Sequence, residues 1–305
     1  MVRRPSCVQA LVVAVEALCC AIVLCCVLCC RGPSAVRSTE RLRHAACWCL
    51  LCFLFSGSEP GYAKSREKFG GKAAVGGARD RDSGELRFSL RSLQKFLPWW
   101  RGEIFIVSPG QTPYWMNTSH PRVHIVNQDE LYPPDDRQFL PTFNTNSLEQ
   151  WLCNTPGLPE SSTMFIHMND DYLFTAPISP QDLFGPSCSG VRVLVENRAV
   201  RSVPEEDYLH QLETQSGRTW PLSVLHSIVS LDKHYNRERS VHPYLKHGPF
   251  IYFRQAMHDI TTEMFREETI ATSTHKFRSP EDVVRNASTA YAYLLACPCQ
   301  PSPGS

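Results

Sequence analysis

From Asp82 to Phe174 the sequence alternates segments of helical period with short apolar runs, and this alternation constrains the fold more than any other feature. In "DSGELRFSLRSLQKFLPWW", Leu86, Leu90, Leu93 and Leu97 recur at steps of four, three and four. That spacing predicts one apolar stripe of a helix, opened by Asp82 or Ser83 as cap and stopped at Pro98. "EIFIVSPG" then reads as a short buried strand halted by Pro109 and Gly110. "PRVHIVNQDELYP" predicts a second strand with its exit, "TNSLEQWLC" a helix capped by Thr or Asn, and "TMFIHM" a third strand. Such alternation predicts an α/β domain with a mixed or mostly parallel sheet flanked by helices. Ligands gather at the carboxyl ends of the strands in such sheets.

The third strand runs directly into Asn169, Asp170 and Asp171. Two readings of this triplet stand side by side. Asn and Asp favour turns, so the acids serve to end the strand. Alternatively, Asp170 and Asp171 offer hard oxygen ligands to Mg²⁺ or Mn²⁺, with Asn169 adding a carbonyl. Neighbouring residues of a strand face opposite sides, so one ion can take both acids only if the strand stops at Asn169.

Other polar groups carry the same double reading. Glu85 and Arg87 lie in the first turn of the Asp82 helix, where an acid complements the helix N-terminus. Arg87 and Arg91 are one turn apart, a spacing that suits a phosphate or two solvated side chains. His275, Lys276 and Arg278 precede "SPEDVVRNASTAYAYLLA", read as a last helix with Ser279 as cap and Pro280 at its first position. Cations there suit an anion or form a polar loop. His247 in "KHGPF" suits a base or a turn residue. Residues 205–266 read as mainly helical.

Charge excludes one class of partner. The chain has 31 basic and 30 acidic residues and no basic stripe interleaved with aromatics, so no nucleic-acid partner is expected. Ten of the 14 cysteines precede residue 53 and show no metal-ligand spacing, so they read as small apolar residues. A Cys153–Cys188 bridge is open to an oxidising compartment. Residues 8–30 are almost wholly apolar and long enough to cross a bilayer, although Glu16 lies inside them. A signal peptide is the rival reading. The sequons at Asn117 and Asn286 favour the secretory lumen. The expectation is a Golgi or secretory-pathway membrane protein, anchored by its N-terminal hydrophobic segment, with a luminal catalytic part.

Taken in order, "RDRDSGELRFSLRSLQKFLPWWRGEIFIVSPG", "LPTFNTNSLEQWL" and "PGLPESSTMFIHMNDDYLF" resemble the second conserved region of the Stealth family of sugar-phosphate transferases. "HGPFIYFRQAMHDITTEMFREE" and "STHKFRSPEDVVRNASTAYAYLLA" are similar to its third. The resemblance implies a nucleotide-sugar transferase-like fold. It also implies transfer of a hexose-1-phosphate, such as N-acetylglucosamine-1-phosphate, from a UDP-sugar to a hydroxyl of a glycan or glycoprotein, releasing UMP. Asp170 and Asp171 become catalytic and metal-binding positions, and His275 a further catalytic one. Arg87, Asn144, Asn169 and Lys276 become donor or phosphate contacts. A glycosyltransferase releasing UDP and an inactive membrane-anchored module are the alternatives.

The implied organisation is a hydrophobic anchor or signal region at 1–55 and a linker with a remnant of the first conserved region at 56–82. An α/β catalytic core at 83–200, a helical part at 201–296 and a tail at 297–305 follow. The family's first-region strand is expected to be replaced by "CWCLLCFLFS", and its fourth region would follow Ser305. Activity of the chain is therefore expected to be impaired.

Overall fold

The apolar runs become strands of one sheet because each is short, rich in β-branched and aromatic residues, and bounded by turn formers. The computed structural model describes residues 49–53, 59–75, 77, 83–183, 191–215, 217–237 and 239–284. In chain order the strands are β1 (Cys49–Phe53), β2 (Ile104–Ser108), β3 (Val123–Asn127), β4 (Met164–Met168), β5 (Val195–Arg201), β6 (Val241–Leu245) and β7 (Phe250–Phe253). The main sheet has the order β3-β2-β1-β4-β7. Its first four members are parallel, and β7 pairs antiparallel with β4 through Ile166 opposite Ile251. β5 and β6 form a separate antiparallel pair.

Strand alternation sorts the core onto two faces. Phe105, Val107 and Phe165 join Leu148, Trp151 and Met257 on one side. Ile106, Ile166 and Met168 face the other side, where Leu86, Leu93 and Leu97 of a helix cover them. Each such side chain contributes about 1.5–3 kcal/mol when fully buried. Among the described residues, apart from a single turn at Pro180–Leu183, the α-helices are α1 (Pro60–Gly70), α2 (Glu85–Phe96), α3 (Thr145–Gln150), α4 (Glu205–Thr214), α5 (Thr219–His234), α6 (Arg254–Asp259) and α7 (Arg266–Thr274). The expected stripe is the buried face of α2, with Leu90 partly buried. Its cap differs from expectation: Gly84, at φ 85°, starts the helix, a left-handed conformation that glycine takes without a Cβ clash. The cap of α3 is Asn144, just ahead of the Thr and Asn of the expected stretch, its side chain accepting from the Asn146 N–H.

Three expectations need correction. "CLLCF", read as part of a hydrophobic anchor or signal region, is the central strand β1, hydrogen-bonded to β2 and β4. The C-terminal part is not simply helical, because β6 and β7 interrupt it and β7 completes the main sheet. The chain from Ser279 to Val284 makes a turn and then runs irregularly instead of opening a helix; residues from 285 onward lie outside those described.

The expected Golgi or secretory-pathway membrane location is also corrected. No helix among the described residues is long and apolar enough to cross a membrane. Residues 8–30, on which that expectation rested, lie outside the described residues, as does Cys188.

Candidate active site

Four parallel strands bring their carboxyl ends to one edge of the sheet. β4 stops at Met168, and the Tyr172 N–H donates to the Asn169 carbonyl at 3.2 Å, closing a tight turn. The turn removes the alternation that would send neighbouring acids to opposite faces. Asp170 is half-buried within it and Asp171 is exposed. Burial, then the charge of Asp171, then that of Glu85 push the Asp170 carboxyl up to about 6, while main-chain hydrogen bonds at 170 and 171 oppose them. Glu85 opens α2, where its carboxylate accepts the Ser83 N–H at 2.8 Å. The turn's exit is tied along the same helix: the Phe174 N–H donates to Ser92 Oγ at 3.0 Å, and the Ile178 N–H to the Phe96 carbonyl at 2.9 Å.

Hard carboxylate oxygens crowded in this way suit a divalent cation such as Mg²⁺ or Mn²⁺. No group of three or more His, Cys, Asp or Glu side chains converges into a metal cage among the described residues. Mg²⁺ does not need such a cage, since one or two carboxylates and substrate phosphates are its usual ligands. The donor set therefore fits a cation shared with a phosphorylated ligand.

Tyr172 extends the site beyond the acids. Burial, Glu149 of α3 and Asp171 hold its hydroxyl above the usual range, and Arg278 acts against them. Its ring meets His247 edge-on, with centroids 4.6 Å apart. β7 runs antiparallel to β4, so the loop before it, with His247, returns to the same edge.

A second constellation joins α3 to the segment after α7. His275 Nδ1 lies 2.8 Å from Asp282 Oδ1. The Asp282 hydrogen bond is the main cause that raises the imidazole above its ordinary value. Asp282 is fully buried and also accepts from Asn144 Nδ2 at 2.9 Å, Asn146 Nδ2 at 3.0 Å and the Ser279 N–H at 2.9 Å. Four hydrogen-bond partners thus converge on one buried carboxylate. His275 itself keeps 30% of its side chain exposed. A half-open imidazole oriented at Nδ1 by a buried carboxylate can exchange a proton through Nε2.

A cleft of about 740 Å³ occupies the same edge at the ends of β2 and β3. Pro109 to Tyr114, Asn127 to Asp129, Pro141 to Phe143 and the start of α1 line it. Phe143 connects it to the second constellation: its N–H donates to the Lys276 carbonyl at 2.9 Å and its ring stacks on Phe277.

The structure thus brings Asp170, Asp171 and Asn169 together with Glu85, whose local sequence marks it only as a helix-end acid. Arg87 is exposed in the first turn of α2, with its guanidinium 5.9 Å from the Trp115 ring centre. Asn144 is fully buried, and its amide is committed to its cap and to Asp282. Lys276 Nζ donates to the Phe139 carbonyl at 2.6 Å. Asp282 is hidden in the sequence because it looks like a first-turn acid of a helix; only the distant Asn144 and Asn146 reveal its role. Ser240, Asp232 and His242 also meet, but serine and acid both face His242 Nε2 and the acid and imidazole are buried, so this group holds β6 to α5.

A strand-end acid turn, an oriented imidazole and a polar cleft on one edge define an α/β domain built to bind and act on a polar ligand. The chain belongs to the Stealth proteins: their conserved region 2 matches residues 79–190 and their conserved region 3 matches residues 246–296, together over half of the chain. An exopolysaccharide phosphotransferase of Streptomyces coelicolor is 30% identical over 241 residues, covering 78% of this chain and 38% of that protein. The capsular polysaccharide phosphotransferase fcs1 of Haemophilus influenzae is 30% identical over 207 residues, covering 67% of this chain and 52% of its own. The mouse N-acetylglucosamine-1-phosphotransferase subunits alpha/beta are 39% identical over 113 residues, covering 37% of this chain and 9% of theirs. The chain therefore spans about half or less of the length of these relatives. A galactosyltransferase structure aligns over 77% of this chain and 72% of its own at 9% identity and TM-score 0.35, too distant to add to the strand order.

Proposed function

We propose that this chain carries the donor-handling core of a phosphotransferase that moves a hexose-1-phosphate from a UDP-sugar to a hydroxyl of a glycan or glycoprotein acceptor. N-acetylglucosamine-1-phosphate is the group favoured by the mammalian relative's name. The observation that carries the reading is the tight turn at the end of β4, which sets the half-buried Asp170 beside Asp171 and within the field of Glu85. Carboxyls perturbed by burial and by neighbouring charge cluster at functional sites.

In the proposed reaction the acceptor oxygen bonds to the sugar-linked phosphorus. The bond from that phosphorus to the bridging oxygen breaks, and UMP leaves with the electron pair. Asp170 and Asp171 would hold Mg²⁺ or Mn²⁺, which when bound would offset the charge of the two phosphates. Asn169 and the exposed Arg87 would meet phosphate oxygens, Arg87 through its planar fork. His275 takes the acceptor proton at Nε2, while Asp282 holds Nδ1 and stabilises the imidazolium that results. Asn144 and Lys276 act by position, through Asp282 and the Phe139 carbonyl.

The test is product analysis with the full chain, labelled UDP-N-acetylglucosamine, Mg²⁺ or Mn²⁺ and a glycan acceptor. Release of UMP, abolished in Asp171→Asn, is the expected result. Release of UDP would mean attack at the anomeric carbon instead, and no turnover with any acceptor would leave a binding module.

A further inference from the structure

We propose that the exposed indole of Trp220 is a stacking platform for a pyranose ring of the acceptor glycan, beside the segment that carries His275. The inference rests on the reading above in taking His275 as the group that meets the acceptor hydroxyl; sugar binding itself needs no such reaction.

Among the described residues Trp220 is the one exposed tryptophan, with 39% of its surface open to solvent. It stands in the first turn of α5, and its Nε1 donates to the Tyr244 hydroxyl of β6 at 2.9 Å. That bond satisfies the indole's only donor and fixes the ring. Arg198 of β5 lies over the Tyr244 ring, 3.7 Å from its centre, and pairs with Glu196 at 2.7 Å. The Arg278 guanidinium, from the segment after α7, lies 5.7 Å from the Trp220 ring centre. Side chains far apart in the chain are thus assembled into one surface strip of alternating cation and ring. An indole held rigid in water gives up side-chain freedom without hiding its apolar surface, and a ligand ring stacked on it supplies the missing burial.

The surroundings select the kind of ring. Arg278 gives Nε and Nη2 to Thr145 Oγ1, and its Nη1 has no hydrogen-bond partner among the described residues. Guanidinium and phenol groups around an apolar surface suit a ring with hydroxyls on its rim and C–H groups on its face, which describes a pyranose. Placement joins this strip to the chemistry. Asp282, which holds His275 Nδ1, accepts from Asn144 and Asn146 at the start of α3, and Arg278 donates to Thr145 between them. The charge of Arg278 also acts on the Tyr172 hydroxyl, next to the acid turn. An acceptor whose hydroxyl meets His275 therefore has Trp220 beside its adjoining sugars.

The test is nuclear magnetic resonance of the full chain with isotope-labelled tryptophan, without metal or nucleotide, titrated with maltotriose, cellotriose, mannotriose, chitotriose and trigalacturonate. Loss of one indole signal in Trp220→Phe assigns that of Trp220. At least one of these saccharides is expected to shift the Trp220 signal and to bind Trp220→Ala about tenfold more weakly. Trp220→Phe, which keeps an aromatic ring, should bind it with intermediate affinity. If none of the saccharides shifts the Trp220 signal of the unaltered chain, the assignment is overturned without reference to any variant's folding. Equal affinity of Trp220→Ala and the unaltered chain would overturn it as well. Saccharide binding at Trp220 by a chain that releases UDP, or nothing, from UDP-N-acetylglucosamine counts against the proposed reaction and not against the platform. UMP release by a chain whose Trp220 signal ignores every saccharide counts against the platform alone.

Discussion

Replacing Asp170 by Asn separates a carboxylate held ready for a cation from one that merely caps a turn. In the folded chain this carboxyl is pushed from its ordinary 3.8 up to about 6 by burial, Asp171 and Glu85. That distance corresponds to about 3 kcal/mol, which solvent at the turn's open side reduces to roughly 2 kcal/mol. Because the folded value is raised, the folded chain holds the proton more tightly than the unfolded chain does. Stability from this group is greatest below about 4 and declines as pH climbs through 6. The amide of the Asp170→Asn variant does not titrate. The variant should therefore match the unaltered chain at pH 4 and exceed it by roughly 2 kcal/mol at pH 7.5. Urea unfolding of the full chain in chelator, at both pH values, reads this difference. If Asp170→Asn is the less stable protein at pH 7.5, the main-chain hydrogen bonds at 170 and 171 outweigh the crowding, and the acid is a cap.

Asp282→Asn should act on His275 from behind. The imidazole is raised by Asp282, so the pair stabilises the fold fully below the ordinary histidine value and loses that contribution as pH rises through the raised one. The variant should cost about 2–4 kcal/mol near pH 5.5 and less near pH 9; it should also lower the apparent acidic limb of the pH–rate profile, with nuclear magnetic resonance titration of His275 as the independent readout. Gly84→Ala should destabilise α2 by about 1 kcal/mol, because φ 85° penalises a Cβ, and thermal unfolding checks it.

Legibility in the sequence followed the range of the physics involved. The α2 stripe and the strands IFIVS and MFIHM were readable because burial imposes a local period that residues within one element already display. The stop after Met168 was readable for the same reason, and with it the acid turn. β1 was not, since an apolar run such as CLLCF looks alike whether other strands or lipid cover it. β7 was hidden because FIYF is short and sits among helices, and its place depends on pairing with Met164 to His167. Local pattern marks Glu85 and Asp282 only as helix-end acids, with no role in a site. Each acquires one only through residues far along the chain: Asp170 for the first, Asn144, Asn146 and His275 for the second.

Binding of Mn²⁺, followed by electron paramagnetic resonance of the full chain with and without UDP, reads the acid turn most directly. Signal loss from free Mn²⁺ should require UDP and should disappear in both Asp170→Asn and Asp171→Asn. Equal Mn²⁺ uptake by the two variants and the unaltered chain would place the cation elsewhere and remove the turn from the chemistry.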